Sequence, residues 1–393
     1  MGPGFPFPPG FDLNELLRML QSPGPVNIEI ARKMAASVAT MDLATGATQA
    51  EPPIDADAVA AFEQLVRAAQ LAVADTTGIT QTLTVPSRCV DRKSWAESTL
   101  DGLAPVLESL AQALNRANRG LETPTDPNQQ AEAFVGMLMQ AIVPVILGTW
   151  AGSMIGQLAH HALGQYDLPL PLRGEPVQLF VVSNTDAFAQ EWSLPLDELR
   201  YAVVLREVVH GAQRTVPWVR ERLSDLASSY VGAYEPRPEA FEEMLSGLDL
   251  NDPSSMESLG EAADARRLLD AMRSERQGPI LEELQRFVSV IEGYTDVVVE
   301  ALGERMVTSH GRIDEALRRH RVERGDAAAF VDRLLGLELD RKHYDEGVAF
   351  CRGVLERSGF DQLNRLWSAE AMMPTRAEFE APGLWLARID LPT

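Results

Sequence analysis

Ala202-Val203-Val204-Leu205-Arg206-Glu207-Val208-Val209-His210 is the stretch on which the reading of this chain turns. Its first half is apolar on every side of a helical wheel, the pattern of a helix buried all round rather than of an amphipathic surface helix. Three ionisable side chains, Arg206, Glu207 and His210, are set into it. Arg206 and His210 lie four residues apart, one turn above each other, and address a common point. Charges in such surroundings need partners, so the trio requires a local ion-pair network or a ligand. Spacing alone leaves both open.

Working outward, the helix is expected over Asp197–Arg214, closed before Pro217. Upstream, Val177–Ser183 is the best strand pattern in the chain, ended by Asn184-Thr185-Asp186. The Gly164–Pro171 stretch before it must turn or extend. Downstream, Ile280, Leu284, Phe287, Ile291, Tyr294, Val298 and Ala301 recur at helical spacing in a helix over Pro279–Leu302. Glu292 and Asp296 flank that core face, and Gly293 removes a side chain where another helix or a substrate can approach. Glu292 is either a solvated flank residue or, paired with the upstream helix, a ligand or counter-ion. Other helices are expected at Leu13–Leu20, Asn27–Met41, Ala56–Ala74, Trp95–Ala117, Glu239–Ser246, Met256–Ser274, Ile313–Arg324, Ala327–Leu335 and Tyr344–Ser358. The fold class is mainly α with a small β element.

Composition narrows the function. Thirty-five basic against 57 acidic residues give a net charge of −22, which repels a phosphate backbone and argues against nucleic-acid binding. Cys89 and Cys351 are far apart with no CxxC spacing, which fits a reducing cytoplasm and disfavours a thiolate zinc site. Met1–Gly10 reads as a flexible Pro/Gly-rich tail without the features of a signal peptide. A single domain is expected over 11–393, with an N-terminal helical part (11–130) and a motif-bearing part (131–393). Ala133–Tyr166 carries no formal charge, and Phe134–Leu158 is long enough to cross a bilayer. Pro144, Gln140 and Gln157 interrupt it and no basic cluster flanks it. Gly148, Gly152 and Gly156 form a stripe for close helix packing, so a buried core helix is the preferred reading over a membrane span.

Several segments taken together carry a resemblance: Leu163-Gly164-Gln165-Tyr166-Asp167, Val181-Val182-Ser183-Asn184, Arg206-Glu207-x-x-His210 with Val216-Pro217-Trp218, Glu292-Gly293-Tyr294-Thr295-Asp296, Gly336-Leu337-Glu338-Leu339 and Leu366-Trp367. From Phe134 onward the chain resembles the bacterial zincin-like metalloproteases, a family also labelled as hydrolases. The resemblance implies a mainly α zincin-like fold with the motif helix beneath a small sheet. It also implies a zinc cofactor, with His210 as second histidine ligand, Glu207 as general base, Glu292 as third ligand and Asp296 behind them.

The departure is Arg206, which stands where the first histidine is required. A guanidinium stays protonated and has no lone pair to offer a metal. Arg206 is therefore expected to replace the metal's charge and to pair with Glu292. His160 and His161 are adjacent and point about 100° apart on a helix, so at most His161 approaches the motif as a substitute ligand. His310, His320 and His343, and the run Arg318-Arg319-His320-Arg321, read as solvated. No GxSxG elbow, GxGxxG turn or Walker loop occurs. The leading expectation is a family member with a degenerate metal site, not binding zinc in the standard way and inactive as a peptidase. The alternatives are an active hydrolase with a rearranged metal site and a non-enzymatic scaffold that binds a peptide or protein.

Overall fold

The protein is represented by a computed structural model that describes residues 26–43, 45–48, 51–116, 144–145, 147–235, 270, 272–303, 308–322, 325–337 and 339–391. The tail Met1–Gly10, the helices expected at Leu13–Leu20 and Glu239–Ser246, and most of Met256–Ser274 lie outside these residues. Helices dominate. In chain order they are α1 (Ile28–Ala39), α2 (Ala56–Thr77), α3 (Arg92–Arg116), α4 (Val182–Glu191), α5 (Leu196–Thr215), α6 (Pro217–Gly232) and α7 (Gln277–Gly303). They are followed by α8 (His310–Val322), α9 (Gly325–Leu335), α10 (Arg341–Leu363), α11 (Arg376–Glu380) and α12 (Pro382–Ile389). One apolar cluster runs through the described residues from Val26 to Ile389.

The β element is two parallel strands, β1 (Ser87–Val90) and β2 (Gln178–Val181), in register from Ser87 opposite Gln178 to Val90 opposite Val181. All four residues of β2 are buried. The expected strand ran on through Ser183, but the chain turns into α4 at Val182. Asn184 explains the early end: its amide donates to the carbonyls of Ala159 (2.8 Å) and Ala162 (2.7 Å) and accepts from Arg92 Nε (2.7 Å). Those bonds hold residues 182–184 in a helical turn against the preceding segment.

Pro217 is a second difference. It opens α6 at the first helical position, where proline's missing N–H costs nothing and its fixed φ suits a helix. Thr215 and Pro217 thus bracket a sharp break between two helices, where only the end of the first was expected.

The glycine stripe packs as a core helix does. The helical stretch 147–158 lies against α1, and a methyl group added at Gly148 or Gly152 would meet the backbone oxygens of Asn27 (2.4 Å) or Ala31 (2.2 Å). Among the described residues no helix is long and apolar enough to cross a membrane; the start of the Phe134–Leu158 segment lies outside them. The same device joins α7 to α10: an added Cβ at Gly293 would lie 2.1 Å from the Gly347 carbonyl carbon, and one at Gly347 2.0 Å from the Ser289 oxygen. The close approach expected at Gly293 is therefore made by a helix.

Candidate functional site

Every residue of α5 from Leu199 to Arg214 is buried, as its all-round apolar pattern requires. The helix is enclosed by α2, α6, α7 and β2. Three guanidinium or imidazole groups, on Arg206, His210 and Arg214, therefore stand at four-residue intervals along one buried stripe.

Arg206 makes the central contacts. One of its terminal nitrogens, Nη2, bonds Glu292 Oε2, and the other donates to Asp296 Oδ1 at 2.6 Å. Both carboxylates come from α7, one turn apart, so the planar fork of the guanidinium spans them. Arg321 of α8 closes the group from the other side, 3.1 Å from Asp296 Oδ1 and 3.7 Å from Glu292 Oε2. Two buried cations thus face two carboxylates. Burial works against the Arg206 charge, but Glu292 and Asp296 outweigh it and raise its pKa. Burial would likewise raise the Asp296 carboxyl, yet Arg321 and Arg206 hold it below the usual range.

His210 sits beside this group, its Nε2 3.6 Å from Glu292 Oε1. It is fully buried, and neither ring nitrogen makes a well-formed hydrogen bond, the Gln213 side chain acting on the ring only weakly. Burial, then the charges of Arg206, Arg214 and Arg321, push its pKa well below the ordinary 6.5, so the ring is neutral.

Glu207 faces a different neighbour. Both its oxygens accept from the Tyr166 backbone N–H, at 2.9 and 3.0 Å. The Leu163–Asp167 turn that wraps it is fixed to β2, with Gln165 N donating to Leu179 O and Val181 N donating to Leu163 O. Gly164 is required there, because a Cβ would lie 2.3 Å from the Glu207 carboxyl carbon. Burial raises the Glu207 pKa well above its ordinary value, against the opposing pull of the Tyr166 N–H.

The structure thus brings together Arg206, His210, Glu292 and Asp296, with Glu207 adjacent but turned to the 163–167 segment. His161 is exposed in the turn after the 147–158 stretch. Partial desolvation of its ring, then the nearby His320 and His160, lower its pKa. Among the described residues no three side chains of His, Cys, Asp or Glu converge as a metal-ligand set.

Two expectations are corrected. Within Arg318–Arg321, only Arg318 and Arg319 are solvated, paired with Asp314 and Glu315 one turn back. Arg321 and His320 turn inward; His320 Nε2 lies 3.1 Å from Asp167 Oδ2, and its ring packs edge-on against Phe188. The signal was present in the spacing: Ile313 and Leu317 continue to Arg321 at steps of four on the apolar face of α8. Charged neighbours in sequence hid it.

A zinc site needs three protein donors about 2.0–2.2 Å from the ion. His210 and Glu292 supply two atoms near enough to share one, and the orphaned imidazole is suited to the role. The remaining corner is taken by a guanidinium that is already bonded to Glu292. The donor set does not fit zinc.

A family model described as zincin-like metallopeptidase matches residues 26–386. A crystal structure from Chloroflexus aurantiacus, of a protein described as a "putative hydrolase with a novel fold", is similar over 94% of this chain and 100% of that one, with 23% identity and a TM-score of 0.60. That likeness is one of fold. No curated protein matches the chain.

Proposed function

The chain belongs to the zincin-like metallopeptidase family, and from that premise we propose that its motif centre works without zinc, as a closed ion-pair network, so that the protein is not a peptidase of the standard zinc-dependent kind. The observation that carries this reading is Arg206, which occupies the first ligand position and binds both Glu292 and Asp296. The metal's charge is supplied by a group that can neither leave nor activate water. Glu207, in the general-base position of the motif, is committed instead to the Tyr166 N–H and acts as the post on which the 163–167 turn is fixed. The protein then serves by binding a peptide or protein chain rather than by cutting one.

One observation favours a second reading, a hydrolase with a rearranged metal site: the imidazole of His210 is neutral and unpartnered within reach of Glu292. Thermal unfolding in chelator and in added zinc separates the two. A specific site at 100 times its Kd would add about 2.7 kcal/mol of stability. The ion-pair reading expects the same midpoint in both solutions; a zinc-dependent rise abolished by His210→Ala would establish the rearranged site instead.

A further inference from the structure

Beyond the C-terminal end of the Arg206–His210–Arg214 stripe, a cleft of about 230 Å³ opens between α3, the 165–177 segment and the start of α6. Asp101, Gln165, Tyr166, Arg173, Arg214 and Arg220 are among its lining residues. Most of the charges around it are matched. Asp101 pairs with Arg32, Arg173 bonds Ser224 and Asp225, and Arg220 donates to the Arg214 carbonyl and lies 3.7 Å from Glu175.

Arg214 is different. It is 3% exposed, and neither of its terminal nitrogens has a hydrogen-bond partner. Its guanidinium carbon lies 5.4 Å from the centre of the Tyr166 ring, which gives it an aromatic face, while Glu292 and Glu207 favour its charge without bonding it. The carboxylates nearby are already committed: Glu292 and Asp296 to Arg206 and Arg321, Glu207 to the Tyr166 N–H. Burial disfavours the Arg214 charge and lowers its pKa, yet a guanidinium stays protonated. An unpaired buried cation is strongly unfavourable unless an anion meets it. Both unpaired nitrogens of the fork are enclosed, so a carboxylate meets them once the Arg214 side chain shifts toward the cleft, where they match its two oxygens. A second orphan lines the same cleft: Gln165 Oε1 is buried without a donor, while its amide nitrogen donates to Thr99 Oγ1.

We propose that this cleft is a carboxylate-binding site in which Arg214 anchors the ligand's carboxylate and Gln165 Oε1 accepts from an N–H adjacent to it. That pairing of groups is the end of a peptide chain or a free amino acid. The volume is below the ~300 Å³ at which drug-sized pockets begin, which suits one terminal residue. The site stands independently of whether the motif centre holds a metal.

The test is calorimetric titration of the full-length protein with N-acetylalanine, its amide, free alanine, acetate and inorganic phosphate. N-acetylalanine is expected to bind saturably, and its amide at least tenfold more weakly. N-acetylalanine tighter than free alanine identifies a peptide end; the reverse identifies a free amino acid. Arg214→Gln should weaken N-acetylalanine at least tenfold. Because Arg214 is buried, Ser98→Trp, which adds bulk at a half-buried lining position of the cleft, is the companion variant and should abolish binding with the unfolding midpoint retained. Equal binding of acid and amide, binding of phosphate alone, no binding by any probe, or full binding by Ser98→Trp would each overturn the proposal.

Discussion

Removing the Glu292 carboxylate should be among the most destabilising single changes in this protein. In the native chain Arg206 and Arg321 face Glu292 and Asp296, so the buried group is balanced. Glu292→Ala leaves two guanidinium groups sharing Asp296, with Arg206 only 8% exposed. Stripping one partner from a buried pair costs about 3–5 kcal/mol, because the remaining charge is stranded. Arg206 keeps its 2.6 Å bond to Asp296, which places the expected loss near the lower end, about 3 kcal/mol. The double variant Arg206→Met, Glu292→Leu removes one charge of each sign and leaves Arg321 with Asp296. It should recover most of the loss, since apolar replacement of a buried pair is often neutral or better. The surface pair Arg352–Glu300, each half-exposed at 2.7 Å, is the control; Glu300→Ala should cost below about 1 kcal/mol. Urea unfolding of the four proteins gives the values. A loss under about 0.5 kcal/mol for Glu292→Ala, the level of an ordinary surface change, would refute the pairing. So would a double variant as unstable as the single one.

Gly164→Ala should cost about 2–3 kcal/mol, since its Cβ would lie 2.4 Å from Glu207 Oε1 and force the carboxyl off the Tyr166 N–H. Gly278→Ala, where nothing lies within 4 Å, should be neutral or stabilising, and equal costs at the two positions would remove the steric argument. His210 gives a pH signature. Its folded pKa is depressed, so its contribution is fully present above the ordinary 6.5 and is lost as pH falls, when the unfolded chain takes up a proton that the native state refuses. Stability should fall by up to about 1.4 kcal/mol per pH unit below 6.5 on this account alone. His210→Asn should flatten that slope, and an unchanged slope between pH 6.5 and 5 would show that the imidazole is charged or solvated in the native state.

The motif helix was legible because its evidence is local: an apolar stretch on all faces with three ionisable groups at helical spacing. Glu292 and Asp296 were legible as candidates because they interrupt the margin of a clean core stripe. Arg321 was not, since three of its four neighbours in Arg318–Arg321 and Glu323 are charged, and its inward turn depends on where α8 packs. The strand Ser87–Val90 was missed for a related reason. Four residues with one buried position form a strand only when Gln178–Val181 is beside them. Arg214 escaped notice because nothing in sequence distinguishes a basic residue in a helix's last turn, where the helix dipole favours it, from one left without a partner in a cleft. The glycines were legible as sites of close approach, but their partners, the α1 backbone, Glu207 and Gly347, belong to tertiary structure.

On the function proposed above, Arg206 takes the place of the metal. The most direct test is the zinc content, by elemental analysis, of untagged protein and of Arg206→His, each purified without added metal and then equilibrated with one equivalent of zinc. Less than a tenth of an equivalent is expected in the wild type and close to one in the variant, where the introduced imidazole would join His210 and Glu292. Stoichiometric zinc in the wild type would contradict that proposal.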